Sequence, residues 1–163
     1  MAKPRRSAND DGKLDDVHML VVEARFYDDI ADLLLAGATR ALERAGVAFD
    51  TVTVPGALEI PVAIAIAIET AEHQRRRPYD GVVALGCVIR GETSHYDIVA
   101  GQSARGLLEL GVARRLPVGN GILTVDTEAQ ALERADPKRL DKGGGAARAA
   151  LDLVRLKRRL ARA

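Results

Sequence analysis

The sequence predicts an α/β fold in three layers (α/β/α), with a four-stranded parallel sheet between two layers of helices. Short apolar runs typical of buried strands alternate with longer segments whose apolar residues recur at three- and four-residue steps. The predicted order of elements is β-α-β-α-β-α-β-α-α. Alternation of this kind puts right-handed helical crossovers on both faces of a parallel sheet. A chain of 163 residues is long enough for one such domain with a substantial core.

The first half of the chain is predicted to form two strands and two helices. In chain order they cover residues 18–22, 28–45, 49–54 and 58–73. The first helix is amphipathic, and Gly46 is a plausible C-terminal stop for it. Alanine and isoleucine alternate strictly over residues 63–68, as two residue types would along a strand. Both types are apolar, however, so the alternation does not define a solvent-exposed face. The length of residues 58–73 favours a helix, with Pro61 in its first turn.

The second half is predicted to form two strands and three helices. In chain order they cover residues 81–85, 96–110, 118–125, 127–135 and 146–163, with a loop over 136–145. Gly111 is expected to stop the first of these helices. Gly119 and Gly121 lie inside a strand, which often marks the close approach of another backbone or a ligand. Thr127 and Gln130 have the spacing of a capping box, which predicts a helix start.

The composition excludes several classes of partner. The formal net charge is +1, so the chain has no strong overall field to attract acidic or basic macromolecules. Aromatic residues make up 3% of the chain and Trp is absent, which argues against base-stacking platforms for single-stranded nucleic acid. Neither G-x-G-x-x-G nor G-x-x-x-x-G-K-[ST] occurs, so dinucleotide-binding and P-loop signatures are missing.

The N-terminal segment, the short apolar runs and the cysteine content indicate a cytoplasmic protein. Residues 1–15 lack periodicity and are predicted to be a disordered polar tail ahead of a single domain over residues 16–163. The first 13 residues contain no apolar segment of the kind found in secretory signals. The longest apolar run, residues 60–68, is far shorter than a membrane span. Cys87 is the single cysteine, so the chain forms no internal disulfide and no Cys-based zinc site.

Candidate site residues cluster in the loops that follow the predicted strands, where ligands of parallel sheets bind. These loops are residues 23–28, 55–60, 86–95 and 125–127. The third is the most informative, because residues 91–94 precede a predicted helix start, where free backbone N–H groups attract anions. His95 adds a side chain that exchanges protons near neutral pH. The alternatives are ordinary helix capping by Thr93 or Ser94 and a purely structural histidine.

Five further side chains are candidates, each with an ordinary structural alternative. Arg134 and Lys142 bracket a loop and could supply charge to a phosphate, but the residues alone favour a solvated surface pair. Glu59 could bind hydroxyl groups or be a first-turn helix charge. Glu92 fits a phosphate site only if its side chain points away. Cys87 is disfavoured as a nucleophile, because it continues an apolar run with no evident histidine partner.

Four segments taken together resemble the 6,7-dimethyl-8-ribityllumazine synthase family. They are RFY at 25–27, VPGALEIP at 54–61, GCVIRGETSHYD at 86–97 and NGILT at 120–124. The resemblance implies a flavodoxin-like fold and the penultimate step of riboflavin biosynthesis. In that step 5-amino-6-(D-ribitylamino)uracil condenses with 3,4-dihydroxy-2-butanone 4-phosphate. It also implies no metal and no organic cofactor, and homopentamers that in some members form 60-subunit shells, with active sites between adjacent subunits.

The resemblance also implies roles for individual residues. His95 is expected to be the proton donor of the reaction. The positions expected to bind phosphate are Glu92, Thr93 and Arg134. The positions expected to bind the pyrimidine and its ribityl chain are Phe26, Ala57, Leu58, Glu59, Cys87, Val88, Ile89, Asn120 and Lys142. Of all these, Asn120, Arg134 and Lys142 are expected to reach the site from a neighbouring subunit.

The chain departs from the family pattern at three of the quoted positions. Members often have an aromatic residue at the positions of Leu58 and Asn120, and asparagine at the position of Tyr27. Backbone contacts survive such changes whereas aromatic packing does not, so Asn120 bears on pyrimidine affinity rather than on reaction type. The departures leave open a flavin-binding or shell-forming paralogue with little activity. A flavodoxin that carries FMN is disfavoured, because residues 24–28 are not a Ser/Thr-rich phosphate loop.

Overall fold

The computed structural model describes residues 14–163, which form four strands and five helices. Of the predicted tail, residues 1–13 lie outside the described residues, and Leu14 is buried in the core. The elements are β1 (His18–Ala24), α1 (Asp28–Arg44), β2 (Ala48–Val54), α2 (Glu59–His73), β3 (Gly81–Ile89), α3 (His95–Arg114), β4 (Val118–Val125), α4 (Glu128–Ala135) and α5 (Lys142–Ala161). Among these helices, none is long and apolar enough to cross a membrane.

The four strands form one parallel sheet in the order β2-β1-β3-β4, which confirms the predicted α/β class and its flavodoxin-like layers. Alternate residues of each strand face opposite layers. Met19 and Val21 of β1 join the core beneath α1, α4 and α5, whereas Leu20 and Val22 join the core beneath α2 and α3. The carboxyl ends of all four strands therefore lie at one edge, where a ligand site is expected.

Two uncertain predictions are confirmed. The ambiguous apolar segment is a helix, α2, and Pro61 lies in its first turn as expected. The helix α4 begins after Thr127, whose Oγ1 accepts a hydrogen bond from the backbone N–H of Gln130 at 3.2 Å. The Gln130 side chain in turn accepts from the backbone N–H of Asp126 at 2.8 Å, so this helix start carries a two-way cap.

Three predicted boundaries were wrong by four residues each, whereas the others lie within two residues of the observed ones. The strand β3 does not end at Leu85 but continues to Ile89, because residues 86–89 pair with β4. Val88 and Ile89 are β-branched and favour the extended conformation. Gly111 does not stop α3, which continues to Arg114 and is followed by Arg115 in a left-handed conformation with φ of 49°. The segment 142–145 is not loop but the first turn of α5.

The glycine run misled the prediction of where α5 begins. Glycine disfavours helix on intrinsic propensity, but here it serves close packing. A Cβ on Gly143 would overlap the backbone carbonyl of Leu34 in α1. The side chain of Asp141 caps the helix by accepting from the backbone N–H of Gly144 at 3.1 Å. Lys142 therefore stands on the first turn of a helix rather than on a loop.

Candidate active site

A cleft of about 350 Å³ lies at the carboxyl edge of the sheet. Four segments form it: the turn after β1, the β2–α2 connection, the end of β3, and the loop that leads into α3. Its walls are mostly apolar, with a few polar groups at one end, which is the usual make-up of a small-molecule site. The lining residues are Phe26, Tyr27, Pro55, Gly56, Ala57, Leu58, Glu59, Cys87, Val88, Ile89, Gly91, Thr93, His95, Tyr96 and Val99.

The structure brings nine of the thirteen sequence-predicted site residues into this cleft. They are Phe26, Ala57, Leu58, Glu59, Cys87, Val88, Ile89, Thr93 and His95. Glu92 does not line the cleft and is exposed on the loop between two lining residues, Gly91 and Thr93. This placement fits the expectation that its side chain points away from a bound anion.

The other three predicted residues do not reach the cleft of their own chain. Asn120 is exposed on β4, the edge strand, where its side-chain Oδ1 accepts from the backbone N–H of Ile122 at 2.9 Å. Arg134, near the end of α4, donates to the backbone carbonyl of Gln130 at 3.1 Å. Lys142 is exposed at the start of α5. Within one chain these three side chains therefore take no part in the cleft.

Phe26 stands at one wall of the cleft with its ring largely in solvent. The residue is 71% exposed, and its ring packs edge-to-face with that of Tyr27, with the centroids 5.0 Å apart. The turn that carries it is held by Arg25, which donates to Glu23 at 3.0 Å and to Asp32 at 2.7 Å. An exposed aromatic ring on an anchored turn is a surface on which a planar ligand can stack.

Another wall is the end of β3, and its cysteine is unreactive. Cys87 is partly buried, and burial raises the pKa of its thiol to about 12. Because the thiolate is the nucleophilic form, a thiol with such a pKa is inert near neutral pH. Val88 and Ile89 continue the wall, and pairing with β4 fixes their backbone. This segment therefore offers a rigid apolar surface rather than a nucleophile.

Glu59 lies where the β2–α2 connection turns into the helix. The position of a Cβ on Gly56 would be 2.9 Å from Glu59 Oε2, so glycine at 56 leaves room for the carboxylate to lie over the turn. Ala57, beside it, is 6% exposed and belongs to the core. An exposed carboxylate that lines an apolar cleft is suited to accept hydrogen bonds from hydroxyl groups of a ligand.

The polar end of the cleft is the loop 91–94 and the start of α3. His95 is the first helical residue and is exposed. Its backbone N–H donates a long hydrogen bond to Thr93 Oγ1 at 3.4 Å. The side chain of Ser94 makes no capping hydrogen bond. Within residues 14–163, the backbone N–H groups of residues 92–94 have no protein acceptor. Free N–H groups at the positive end of a helix form an anion site.

Six lining residues are not among the thirteen sequence-predicted site residues: Tyr27, Pro55, Gly56, Gly91, Tyr96 and Val99. Tyr96 and Val99 follow His95 in α3, and Val99 shares its helix face at the i+4 position, a signal that could have identified it. Pro55 belongs to a motif that was recognised, although only its neighbours were given roles. Tyr27 was noted as a departure and not as a lining residue. Burial raises the pKa of its phenol, which keeps that hydroxyl protonated.

A second, shallower groove of about 700 Å³ lies along the free edge of β4 between α3 and α5. It contains Asn120 and several large apolar side chains that are exposed in a single chain. These exposed side chains are Leu108, Val112, Leu153, Leu156 and Leu160. Contiguous exposed apolar surface of this kind marks a protein interaction site.

Comparison with known proteins gives a consistent result. The model of the family described as 6,7-dimethyl-8-ribityllumazine synthase matches residues 16–158. A protein of that name from Nitrobacter hamburgensis is 58% identical over the full length of both chains. One from Azorhizobium caulinodans is 64% identical over 86% of each chain. Another, from Methylocella silvestris, is 61% identical over 98% of this chain and 97% of its own.

Proposed function

The chain belongs to the 6,7-dimethyl-8-ribityllumazine synthase family, whose members are transferases of riboflavin biosynthesis, and we propose that the cleft described above is its active site. In this proposal the cleft holds 5-amino-6-(D-ribitylamino)uracil and 3,4-dihydroxy-2-butanone 4-phosphate together. One observation carries the proposal: His95 lies between an apolar cleft and a loop whose backbone N–H groups have no acceptor among the described residues.

The two ends of the cleft suit the two substrates. The pyrimidine stacks on Phe26 and lies along the backbone of residues 87–89, and its ribityl hydroxyls donate to Glu59. The phosphate of the second substrate sits on the amides of the loop 91–94, with the Thr93 hydroxyl beside it. Holding both substrates in one cleft turns a bimolecular reaction into an effectively intramolecular one, which accounts for much of the achievable rate.

His95 is the proton carrier in this proposal. The substrate amine attacks the ketone carbon, and the carbonyl oxygen leaves as water to give an imine. Loss of a proton from the carbon that carries the hydroxyl group then expels phosphate and leaves an enol, which becomes a ketone by taking up a proton on carbon. The ribitylamino nitrogen attacks this ketone, and loss of a second water closes the ring. His95 protonates the departing oxygen and takes protons from carbon and nitrogen in these steps. A well-placed acid–base group of this kind contributes about 10²–10⁴-fold.

A neighbouring copy of the chain completes the site. Asn120, Arg134 and Lys142 do not line the cleft of their own chain, and the apolar groove beside Asn120 is open in a single chain. We infer a homopentamer in which each chain presents these three residues to the cleft of the next. Arg134 then adds a guanidinium to the phosphate, and Lys142 adds an ammonium to the bound substrates. A cytoplasmic location accords with the single, unpaired thiol.

The proposal has two parts, the activity and the shared site, and each has its own test. The activity is tested by mixing the protein with both substrates and following the fluorescent lumazine together with released phosphate. Acceleration over the spontaneous condensation is expected, and its absence would refute the activity. Titration with riboflavin, followed by flavin fluorescence, addresses the alternative of a paralogue: tight flavin binding without turnover would favour it.

The sharing of each site between two chains is tested by subunit complementation. His95→Ala and Arg134→Ala chains are each expected to be impaired, because each lacks one half of every site. When equal amounts are co-assembled, about a quarter of the shared sites in a cyclic oligomer receive both native residues, and activity should return to that level. Activity that stays at the average of the two parents would show that no site is shared between chains.

A further inference from the structure

We propose that Arg90 is a positioning residue that holds the loop 91–94 and His95 in place, through contacts to Asp126 and to the first turn of α3. This inference rests on the proposed role of that loop as the phosphate site. Arg90 has no role in the sequence-based assignment and does not line the cleft.

Arg90 joins three separate segments of the protein. Its backbone N–H donates to the carbonyl of Val125, the last residue of β4, at 2.9 Å. Its side-chain Nε donates to Asp126 Oδ1, in the β4–α4 turn, at 3.0 Å. Its Nη1 lies 3.6 Å from Asp97 Oδ1, and its guanidinium carbon lies 4.1 Å from the ring centroid of Tyr96. Asp97 and Tyr96 follow His95 directly, so one side chain connects the two ends of the loop.

The loop has little else to hold it. Residues 91–95 are all exposed, and a Cβ on Gly91 would meet nothing within 4 Å. Among the described residues, the hydrogen bonds of loop atoms are local: Thr93 Oγ1 accepts from the N–H of His95, and the Ser94 carbonyl accepts from the first turn of α3. The anchoring of the loop to the sheet therefore depends on Arg90 at its start and on Tyr96 just beyond its end.

The contacts of Arg90 favour positioning over direct binding of phosphate. Two carboxylates, Asp126 and Asp97, already surround its guanidinium and offset its charge. A guanidinium suits this position because it is planar, donates through several N–H groups and stacks on an aromatic ring at the same time. The ammonium of a lysine lacks the planar fork, so lysine at 90 would keep the charge but lose the fixed geometry.

The test measures binding of inorganic phosphate by calorimetry together with kcat and KM for both substrates. The variants are Arg90→Gln, Arg90→Lys, Asp126→Asn and the double variant Arg90→Gln/Asp126→Asn. The control is Arg105→Gln, which removes an exposed arginine from the same helix that begins at His95 and breaks an ordinary i,i+4 pair with Glu109 at 2.7 Å. The melting temperature of each variant is recorded, so that global loss of stability is recognised.

Positioning predicts the following pattern. Arg90→Gln lowers kcat/KM by about tenfold, because small misplacements of reacting groups are costly. Arg90→Lys does not restore the rate, and the double variant is no worse than the worse single variant. Asp126→Asn weakens phosphate binding even though it removes a negative charge from the neighbourhood. The KM for the pyrimidine and the melting temperature stay close to those of the Arg105→Gln control.

Three results would overturn the inference. Direct binding by Arg90 predicts that Asp126→Asn strengthens phosphate binding and that Arg90→Lys retains much of it. Unchanged phosphate affinity and unchanged turnover in Arg90→Gln would show that the loop holds its place unaided. A loss that Arg105→Gln shares would indicate a general effect of surface charge. If the wild type showed no turnover, the proposed function would fail, while the phosphate measurement would still decide the role of Arg90.

Discussion

Replacing Gly119 by alanine is expected to destabilise the protein, because β4 and α5 are in backbone contact at that residue. A Cβ on Gly119 would overlap the carbonyl oxygen of Ala146, lie 2.8 Å from its carbonyl carbon and lie 3.2 Å from Ala150 Cβ. Backbone atoms in a packed helix cannot rotate away, so α5 would have to move by at least about 1 Å for its carbonyl oxygen to clear the new methyl group. Overpacking of this kind costs about 1–3 kcal/mol.

The matched control for this variant is Gly145→Ala in α5. A Cβ there meets only the flexible Arg148 side chain, at 3.9 Å, so the helix gains propensity at no steric cost. The free energy of unfolding should rise by about 0.5–1 kcal/mol in the control. Thermal unfolding at one fixed protein concentration should show Gly119→Ala lower by about 3–10 °C and Gly145→Ala unchanged or higher. Equal melting temperatures for the wild type and Gly119→Ala would refute the close approach of β4 and α5.

Three further predictions concern the cleft and its supports. Cys87→Ala should keep kcat within about twofold. In the wild type, the rate at which the thiol is alkylated should still rise with pH above pH 9, because the pKa of the thiol is raised to about 12. A rate that levels off near pH 9, as for an ordinary thiol, would contradict the burial. Phe26→Ala should raise the KM for the pyrimidine by up to about tenfold, because a stacking surface is lost. The melting temperature should not fall, since the residue is 71% exposed. An unchanged KM would contradict the stacking role. Arg25→Met should lower the free energy of unfolding by about 3 kcal/mol, because the buried Glu23 carboxylate loses its ionic partner. Adding Glu23→Leu should recover part of that loss, as measured by chemical denaturation. An Arg25→Met variant as stable as the wild type would contradict the pairing.

Local signals in the sequence determined most of the fold correctly. The β4 boundaries, the Thr127 helix start and the interpretation of α2 as a helix all follow from periodicity, capping and length. The close approach at Gly119 was also predictable, because a glycine inside a strand often marks a point where another backbone comes near. The errors came where tertiary packing overrides propensity. Gly111 fits inside α3, and Gly143 lies inside α5 because the adjacent helix leaves no room for a side chain.

The candidate site divides in the same way. Residues near one another in the sequence, such as those of 86–95, could be assigned to one cleft because a parallel sheet gathers its loops at one edge. The contacts of Arg90 with Asp126 could not be foreseen, because they join residues 36 positions apart through side-chain geometry alone. Whether Arg134 serves a neighbouring cleft depends on an assembly that no local pattern encodes.

The most direct test of the account compares His95→Ala with His73→Ala in the lumazine-formation assay. His73 lies at the far end of α2, where its Nδ1 is 2.8 Å from the carbonyl oxygen of Glu69, and it takes no part in the cleft. We expect His73→Ala to keep the wild-type kcat, whereas the kcat of His95→Ala should fall by about 10²-fold or more while the variant still binds inorganic phosphate. Equal kcat values for the two variants would contradict the assignment of this cleft as the active site.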